Sequence, residues 1–404
     1  MKKVICLLLV ICMALAAAAC TKEQDTQKDG IGQNTQTSQT VSQDDADELV
    51  LVWCCRDLNS DQGIKAQAIL NYLADETNKN GGVNGGNVRV EFIDAGTDQQ
   101  SYLDALLLAT EVEGVDGIFG TFWSQFGIAA SDYIADTGIP TFNMCTNEEL
   151  ANCNDYYYLP RGTNLGMTYS WAQIGINNGI TKPAIIFFNS SSGYNQDAYI
   201  VDHFKKNGFE IAAEIPFDST NTNDFTPHVL EAINSGADGV FVIGNADSQT
   251  QSIINLLHEY KFDGVISGVA SLMTPKFAEL CGADIVDGMI GYAEYDPSID
   301  TEANNTFKQL WYETLDLDGE GLTISWHDAS FYDVYHLFCL GAELGGANDR
   351  KQINEGIRMI SDYEGAMCTY SWHDDTSLAN ECYDVAFEGT TDIVCKDVIA
   401  IEHK

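Results

Sequence analysis

Residue types that could support catalysis are present, but their spacing does not form a recognisable catalytic site. The order Ser-Trp-His-Asp occurs at residues 325–328 and again at 371–374. The first copy leads into a predicted helix and the second ends a predicted strand, so we interpret the recurrence as coincidence. Residues 120–124 lack the G-x-S-x-G spacing of a nucleophile elbow, and the glycine-rich residues 81–86 lack the Lys-Ser/Thr pair of a P-loop. No nucleophile–base motif is visible in the sequence.

The cysteines and histidines do not have the spacing of a metal site. Three of the twelve cysteines, Cys6, Cys12 and Cys20, belong to an N-terminal leader, which leaves nine. These nine form no C-x-x-C pair, and the histidines do not fall at zinc-ligand spacing, so we expect no structural metal. Short-loop disulfides and reduced thiols are both compatible with the sequence, and the pairs that could close short loops are Cys145 with Cys153 and Cys368 with Cys382.

The first twenty residues predict a secretory signal. Lys2 and Lys3 precede an apolar run over residues 4–19, which is short for a membrane span. The small residues before Cys20 look like a lipobox, in which that cysteine is acylated, and ordinary cleavage before Cys20 is the alternative. Residues 21–47 are polar and cannot bury enough surface to fold. We expect them to be a flexible tether between a lipid anchor and the folded chain.

The chain is strongly acidic. Its formal net charge is −40, and removal of Lys2 and Lys3 with the signal changes this to −42. Such a surface repels phosphate backbones, so we expect no nucleic-acid partner. An anionic ligand would need local dipoles to hold it, because the overall field opposes it.

The elements that must position a site follow an alternating pattern. Residues 49–54 form a buried-strand run, residues 62–80 have apolar positions at helical spacing, and residues 88–93 alternate as a strand. This cycle continues and then repeats over residues 166–266. Alternating strands and helices indicate parallel sheets that are covered on both faces, so the sequence predicts two doubly wound α/β lobes.

The last hundred residues depart from this cycle. Helical stretches dominate residues 301–359, and strand-like runs occupy residues 367–372 and 393–401. These elements are too few for a third domain, so we expect them to add to the existing sheets. Ligands bind beyond the carboxyl ends of strands in open parallel sheets. The loops at those ends begin at Trp53, Gly120, Asn143, Asn189, Gly244 and Gly268.

Several short segments, taken in order, resemble the branched-chain amino-acid binding proteins of ABC importers. After Gln62-Gly63 they are GGVNG at 81–85, GTFWS at 120–124, ASD at 130–132, GIP at 138–140, SGY at 192–194, DF at 224–225 and GADGVFV at 236–242. The resemblance covers residues 49–295 well and the remainder loosely. It implies a type I periplasmic-binding fold, with two lobes joined by three hinge crossings and a ligand clamped between them. It implies no cofactor and no enzymatic activity.

The same resemblance assigns a carboxylate-binding serine to Ser124. The physical setting supports this, because Ser124 follows a strand and can cap a helix beginning near Gln125. Free amides and the positive end of the dipole at a helix start favour an anion. A second pocket segment of the family falls on Cys145 and Thr146, and the Thr146 hydroxyl can reach the same carboxylate. The alternative is that Thr146 caps the helix of Glu148 and its neighbours.

The second lobe departs from the pattern of amino-acid binders. The acidic residue that pairs with the ligand's ammonium in that family is replaced here by the segment around Val269, and the family tyrosine becomes Asn245. An ammonium buried without a carboxylate costs several kcal/mol. Either Asp247 substitutes for the missing acid, or the ligand has no α-ammonium.

Aromatic residues are expected to form the walls of the cleft. Trp53 ends the first strand, Trp123 adjoins Ser124, and Trp326 precedes a late helix. Tyr194 could reach in from the second lobe, and Gln62 occupies a family position that contacts ligand. Flat or apolar ligands suit such walls.

These observations predict a lipid-anchored, extracytoplasmic solute-binding protein that works as a monomer and delivers a small molecule to an ABC permease. The ligand classes that remain open are an amino acid, an amide and an apolar or aromatic carboxylate. A ligand-sensing receptor with the same fold is the alternative. The first lobe is predicted to combine residues 48–164 and 294–382, and the second to combine residues 165–293 and 383–404.

Overall fold

A computed structural model describes residues 47–401, except residues 55, 152, 373, 375, 376 and 379. The predicted signal peptide, the tether up to residue 46, the lipidation site Cys20 and the histidine of the second Ser-Trp-His-Asp sequence therefore lie outside the described residues. Within the described part of the chain, no helix is long and apolar enough to cross a membrane.

Strands and helices alternate along most of the chain. The strands are β1 Leu49–Trp53, β2 Val88–Phe92, β3 Val115–Phe119, β4 Thr141–Phe142, β5 Tyr157–Tyr158, β6 Pro183–Phe188, β7 Ala213–Phe217, β8 Gly239–Ile243, β9 Val265–Gly268, β10 Ile290–Ala293, β11 Tyr363–Glu364, β12 Thr369–Tyr370, β13 Asn380–Phe387 and β14 Ile393–Ile401. The helices are α1 Asp61–Lys79, α2 Gln99–Glu111, α3 Ser124–Thr137, α4 Asn164–Asn177, α5 Ser191–Lys206, α6 Thr226–Asn234, α7 Ser248–Glu259, α8 Pro275–Cys281, α9 Ala283–Val286, α10 Glu302–Gln309, α11 Trp326–Gly345 and α12 Arg350–Ile357.

The first lobe is built on a five-stranded sheet. Its order is β2-β1-β3-β4-β5, and every neighbouring pair is parallel. Trp53, the last residue of β1, pairs in register with Phe92 and with Phe119. The carboxyl ends of these strands therefore lie at one edge, which places the following loops side by side.

The second lobe is built on a seven-stranded sheet with the order β14-β13-β10-β9-β8-β6-β7. Its strands β6 to β10 are parallel, whereas β13 and β14 add as an antiparallel hairpin beside β10. The sequence analysis predicts β14 but misses β13, whose polar residues obscure an apolar pattern. The strand predicted at residues 367–372 is β12, which pairs with β11 in a separate two-stranded sheet, so the expectation that it joins a large sheet is wrong.

Both faces of each large sheet are covered, which confirms the predicted fold class. In the first lobe, one face packs against α1 and α11 and the other against α2 and α3. The helices α11 and α12 approach closely because Gly341 and Gly356 present no side chain. A Cβ on Gly356 would stand only 1.9 Å from the carbonyl oxygen of Gly341.

The chain passes between the two sheets in three segments: residues 159–163, residues 294–301, and the connection from β12 to β13. Leu159 in the first segment forms a bridge with Ser377 in the third. Arg161 in the first forms a two-pronged ion pair with Glu294 in the second. The three segments are therefore tied to one another. The finer division of the chain into lobes at residues 164, 293 and 382 stays a prediction.

Candidate functional site

The loop after β3 carries the residues that the sequence assigns to the carboxylate site. Helix α3 begins at Ser124 itself, and Trp123 is the residue before the helix, without a side-chain cap. Ser124 is thus not the cap that the sequence analysis expects. It lies in the first turn, half-buried, where free amides and the helix dipole favour an anion. The loop is held by the Thr121 hydroxyl, which accepts from the Trp123 amide at 3.0 Å.

Cys145 and Thr146 lie against this loop. The Cys145 thiol is fully buried and donates to the Thr121 carbonyl at 3.2 Å. Burial raises the pKa of Cys145 to about 12, and a hydrogen bond with Ser124 opposes this only in part. The thiol is therefore protonated and packs in the core of the first lobe behind this loop. The neighbouring short helix at Glu148–Leu150 is capped by Asn147, not by Thr146. Within the described residues, the Thr146 hydroxyl makes no hydrogen bond, so it remains available to a ligand.

An aromatic cluster stands beside this loop. Trp326 and His327 stack with ring centroids 3.6 Å apart, and Phe122 packs against both at 6.0 and 4.9 Å. The sequence analysis names Trp326 and Trp123 as wall residues but misses Phe122. All of these rings are half-buried, as expected of side chains that line a cleft.

Two arginines join the aromatic cluster, and the sequence analysis misses both. The Arg161 guanidinium lies 4.0 Å from the Trp326 ring centroid, and that of Arg56 lies 5.5 Å from the Trp123 ring centroid. Each distance is within the range of a cation–π interaction. Their signal in the sequence is slight: each is a basic residue shortly after a strand end in an acidic chain.

Arg161 is neutralised by Glu294. One Arg161 nitrogen contacts Glu294 at 2.6 Å and the Nε donates to the other carboxylate oxygen. Burial acts to lower the pKa of Arg161, but the charge and hydrogen bonds of Glu294 outweigh it and raise the pKa overall. Both oxygens of the Glu294 carboxylate are engaged in turn by Arg161.

The pKa of His327 is lowered by burial and by the cations around it. Its pKa lies well below the ordinary value, first because of burial and then because of Arg161, Lys65 and Arg56. The imidazole is therefore neutral at pH 7. Lys65 is itself paired with the buried Asp328 at 2.8 Å. Among the described residues, Arg56 has no ion-pair partner.

A recess of ≈ 330 Å³ opens next to this cluster. Half-buried Gln62 lines it, and its Oε1 atom is buried with no hydrogen-bond partner among the described residues. The remaining lining residues are Arg56, Ser60, Asp61, Lys65, Ser325 and His327. Thus Gln62, predicted as a ligand contact, is grouped with Arg56 and His327.

Trp53 is not a wall residue in this structure. Its side chain is 0 % exposed and packs against Phe92 and Phe331, with centroids 6.2 and 5.9 Å apart. The Trp53 side chain is buried because of its position in the sheet. Trp53 is the last residue of β1, an interior strand between β2 and β3, so helix α11 covers the side chain on that face of the sheet.

The candidate residues of the second lobe have varied surroundings. Tyr194 is 51 % exposed and contacts Phe187, and Asn245 is exposed. Asp247 caps α7, because its carboxylate accepts from the amides of the second and third helical residues at 2.9 and 3.1 Å. Val269 is buried in the core of the lobe.

Two parallel-sheet α/β lobes joined by three crossings are the architecture of a two-lobed solute-binding protein. The comparison with known families agrees. The chain belongs to the periplasmic binding protein family, whose model matches residues 59–387. This confirms the resemblance found in the sequence and implies an extracytoplasmic location. Members of this family are binding proteins, not enzymes.

Curated relatives include a Leu/Ile/Val-binding protein homolog 8 from Brucella abortus, 30% identical over 243 residues. That match spans 56% of this chain and 59% of the relative, so it covers less than two thirds of the relative's length. A homolog 7 from Brucella suis is 26% identical over 252 residues, which are 59% of this chain and 61% of the relative.

Solved structures share the fold at low sequence identity. A branched-chain amino acid ABC transporter periplasmic ligand-binding protein from Burkholderia xenovorans has a TM-score of 0.74 at 16% identity, covering 87% of this chain and 95% of its own. LivJ from Streptococcus pneumoniae, solved with isoleucine, has a TM-score of 0.67 at 17% identity, covering 88% of this chain and 100% of its own. A solute-binding protein from Rhodopseudomonas palustris, solved with p-hydroxybenzoic acid, has a TM-score of 0.69 at 16% identity, covering 89% of this chain and 97% of its own.

Proposed function

We propose that this chain is the solute-binding component of an ABC importer and that it captures a small organic carboxylate between its lobes. Ser124 carries the proposal. It lies in the first turn of α3, beside the unpaired Arg56 and the rings of Trp123, Phe122 and Trp326. Helix-start amides and a hydroxyl suit a carboxylate, and the rings suit a flat or apolar body.

The ligand of this proposal has no α-ammonium. The segment after β9 that would hold an acidic residue contains Val269, which is buried. Asp247 is engaged as a helix cap and Glu294 is engaged by Arg161. With these carboxylates occupied, an ammonium would lose its hydration without gaining a free counter-charge.

Lobe closure would couple binding to delivery. The first lobe captures the ligand at Ser124 and Thr146, and second-lobe residues near Tyr194 and Asn245 then close over it. A ligand shifts this equilibrium only by its preference for the closed form. The permease would recognise that form. In this proposal the protein acts as a monomer held to the membrane by acylation of Cys20, which mass spectrometry of the mature N-terminus would test.

A thermal-shift comparison tests the ligand class. Binding to the folded state alone stabilises it by about 2.7 kcal/mol at a ligand concentration of 100 Kd. We expect 4-hydroxybenzoate or another carboxylate without an ammonium to raise the melting temperature, and isoleucine to leave it unchanged. A shift with isoleucine and none with any ammonium-free carboxylate would contradict the proposed ligand class.

A further inference from the structure

The recess beside the aromatic cluster is lined by groups that attract negative charge. Helix α1 begins on one side of it and helix α11 on another, with Ser60 and Ser325 as the residues that precede them. Among the described residues, the first two amides of each helix make no hydrogen bond. These helices have 19 and 20 residues, so each presents a full dipole.

Arg56 supplies the charge that the helices alone do not. Its guanidinium has no ion-pair partner in the described part of the chain, whereas the other cation of the recess, Lys65, is paired with Asp328. Asp61 also lines the recess, but it is exposed, so solvent screens its charge. The neutral His327 adds a hydrogen-bonding group without adding negative charge.

The recess is next to the site at Ser124. Arg56 lines the recess and also covers the face of Trp123, the residue before Ser124. His327 lines the recess and also contacts Phe122 of the same loop. A ligand that begins at Ser124 and runs along these rings would therefore end at the recess.

We propose that the recess beside Arg56 is a second anion subsite and that the ligand is a dicarboxylate with a flat or extended body. This inference rests on the proposed function, since it takes Ser124 as the subsite of the first carboxylate. The second carboxylate is held by the Arg56 guanidinium and by the first-turn amides of α1 and α11. Arginine is suited to this task because its fork binds a carboxylate through two parallel hydrogen bonds.

A matched pair of ligands isolates the second charge. Terephthalate carries two carboxylates on a ring, and 4-carbamoylbenzoate has nearly the same shape with one carboxylate replaced by a neutral amide. Titration calorimetry with the full chain is expected to give terephthalate at least about tenfold tighter binding. This preference should shrink as salt is added, because salt screens the second charge.

The variant Arg56→Gln tests whether Arg56 causes the preference for terephthalate over 4-carbamoylbenzoate. We expect it to weaken terephthalate binding by about tenfold or more and 4-carbamoylbenzoate binding by less than about threefold. Lys276→Gln removes one exposed positive charge on α8, outside the recess, and should change neither affinity. A melting temperature close to the wild-type value checks that Arg56→Gln is folded. The salt dependence of terephthalate binding is measured on the wild-type protein, so that test does not depend on the folding of any variant.

The outcomes separate the two proposals. If the monocarboxylate binds and terephthalate binds no tighter, the second subsite is wrong while the proposed function stands. Equal losses for both ligands in Arg56→Gln would also overturn the subsite, because Arg56 would then act on the shared carboxylate. If no carboxylate binds the wild-type protein, both proposals fail.

Discussion

Replacement of Arg161 by glutamine should destabilise the protein strongly, because it removes the partner of a buried charge. The Arg161 and Glu294 side chains are 19% and 10% exposed, and they join the first and second crossings between the lobes. Removing one member of a buried pair leaves the other without compensation, at a cost of about 3–5 kcal/mol. The loss of the Trp326 contact at 4.0 Å adds to this in the same direction.

A double-mutant cycle separates the pair from the individual residues. Arg161→Gln and Glu294→Gln are each expected to lower the free energy of unfolding. The double variant should be more stable than the sum of the two losses predicts, by about 1–3 kcal/mol. Urea unfolding followed by circular dichroism gives the four free energies at pH 7. Arg358→Gln is the control, since its 3.4 Å ion pair with Asp155 and its 2.6 Å hydrogen bond to the Asp155 carbonyl are both exposed, and the ion pair should contribute less than about 1 kcal/mol.

Additivity within experimental error would refute this reasoning, because it would mean that neither charge depends on the other. A loss in Arg161→Gln no larger than that in Arg358→Gln would have the same meaning.

Three further predictions follow from individual residues. Ser124→Ala should weaken ligand binding at least about tenfold in calorimetry, since a hydrogen bond to a charged group is lost, and an unchanged affinity would remove Ser124 from the site. Burial raises the pKa of Asp333 to about 7, so this carboxyl holds its proton more tightly in the folded state than in the unfolded state. The contribution of Asp333 to the free energy of unfolding should therefore fall, by at most about 4 kcal/mol, as pH rises from 4 to 8. Asp333→Asn should flatten that pH dependence in urea unfolding, and an unchanged slope would contradict the assignment. Gly117→Ala should cost about 1–3 kcal/mol because its Cβ would stand 2.4 Å from the Phe338 ring, and a wild-type urea midpoint would show that the ring moves aside freely.

Much of the fold is predictable because local patterns and burial agree. The run at residues 49–54 corresponds to the fully buried β1, and the helical spacing at 62–80 corresponds to α1 within one residue at each end. The resemblance also directs attention to the loop that holds Ser124. By contrast, β13 was missed because a strand can be stabilised by its neighbours, β10 and β14, without a strong apolar pattern of its own.

The candidate site is only partly predictable. Trp53 and Trp326 are the same residue type near a predicted cleft, yet one is enclosed in the core and the other is half-buried beside Arg161. Residue type predicts that a tryptophan packs against something, but the element that covers it decides which atoms remain accessible.

The sequence by itself determined the alternation of strands and helices and the loops at the strand ends, because these depend on local periodicity and on chain order. Only the tertiary structure decided that Arg161 is paired with Glu294, 133 residues away, and that Arg56 has no partner among the described residues. Ion pairing depends on distance in space, which depends on every intervening element. The local pattern around a basic residue contains no information about its partner.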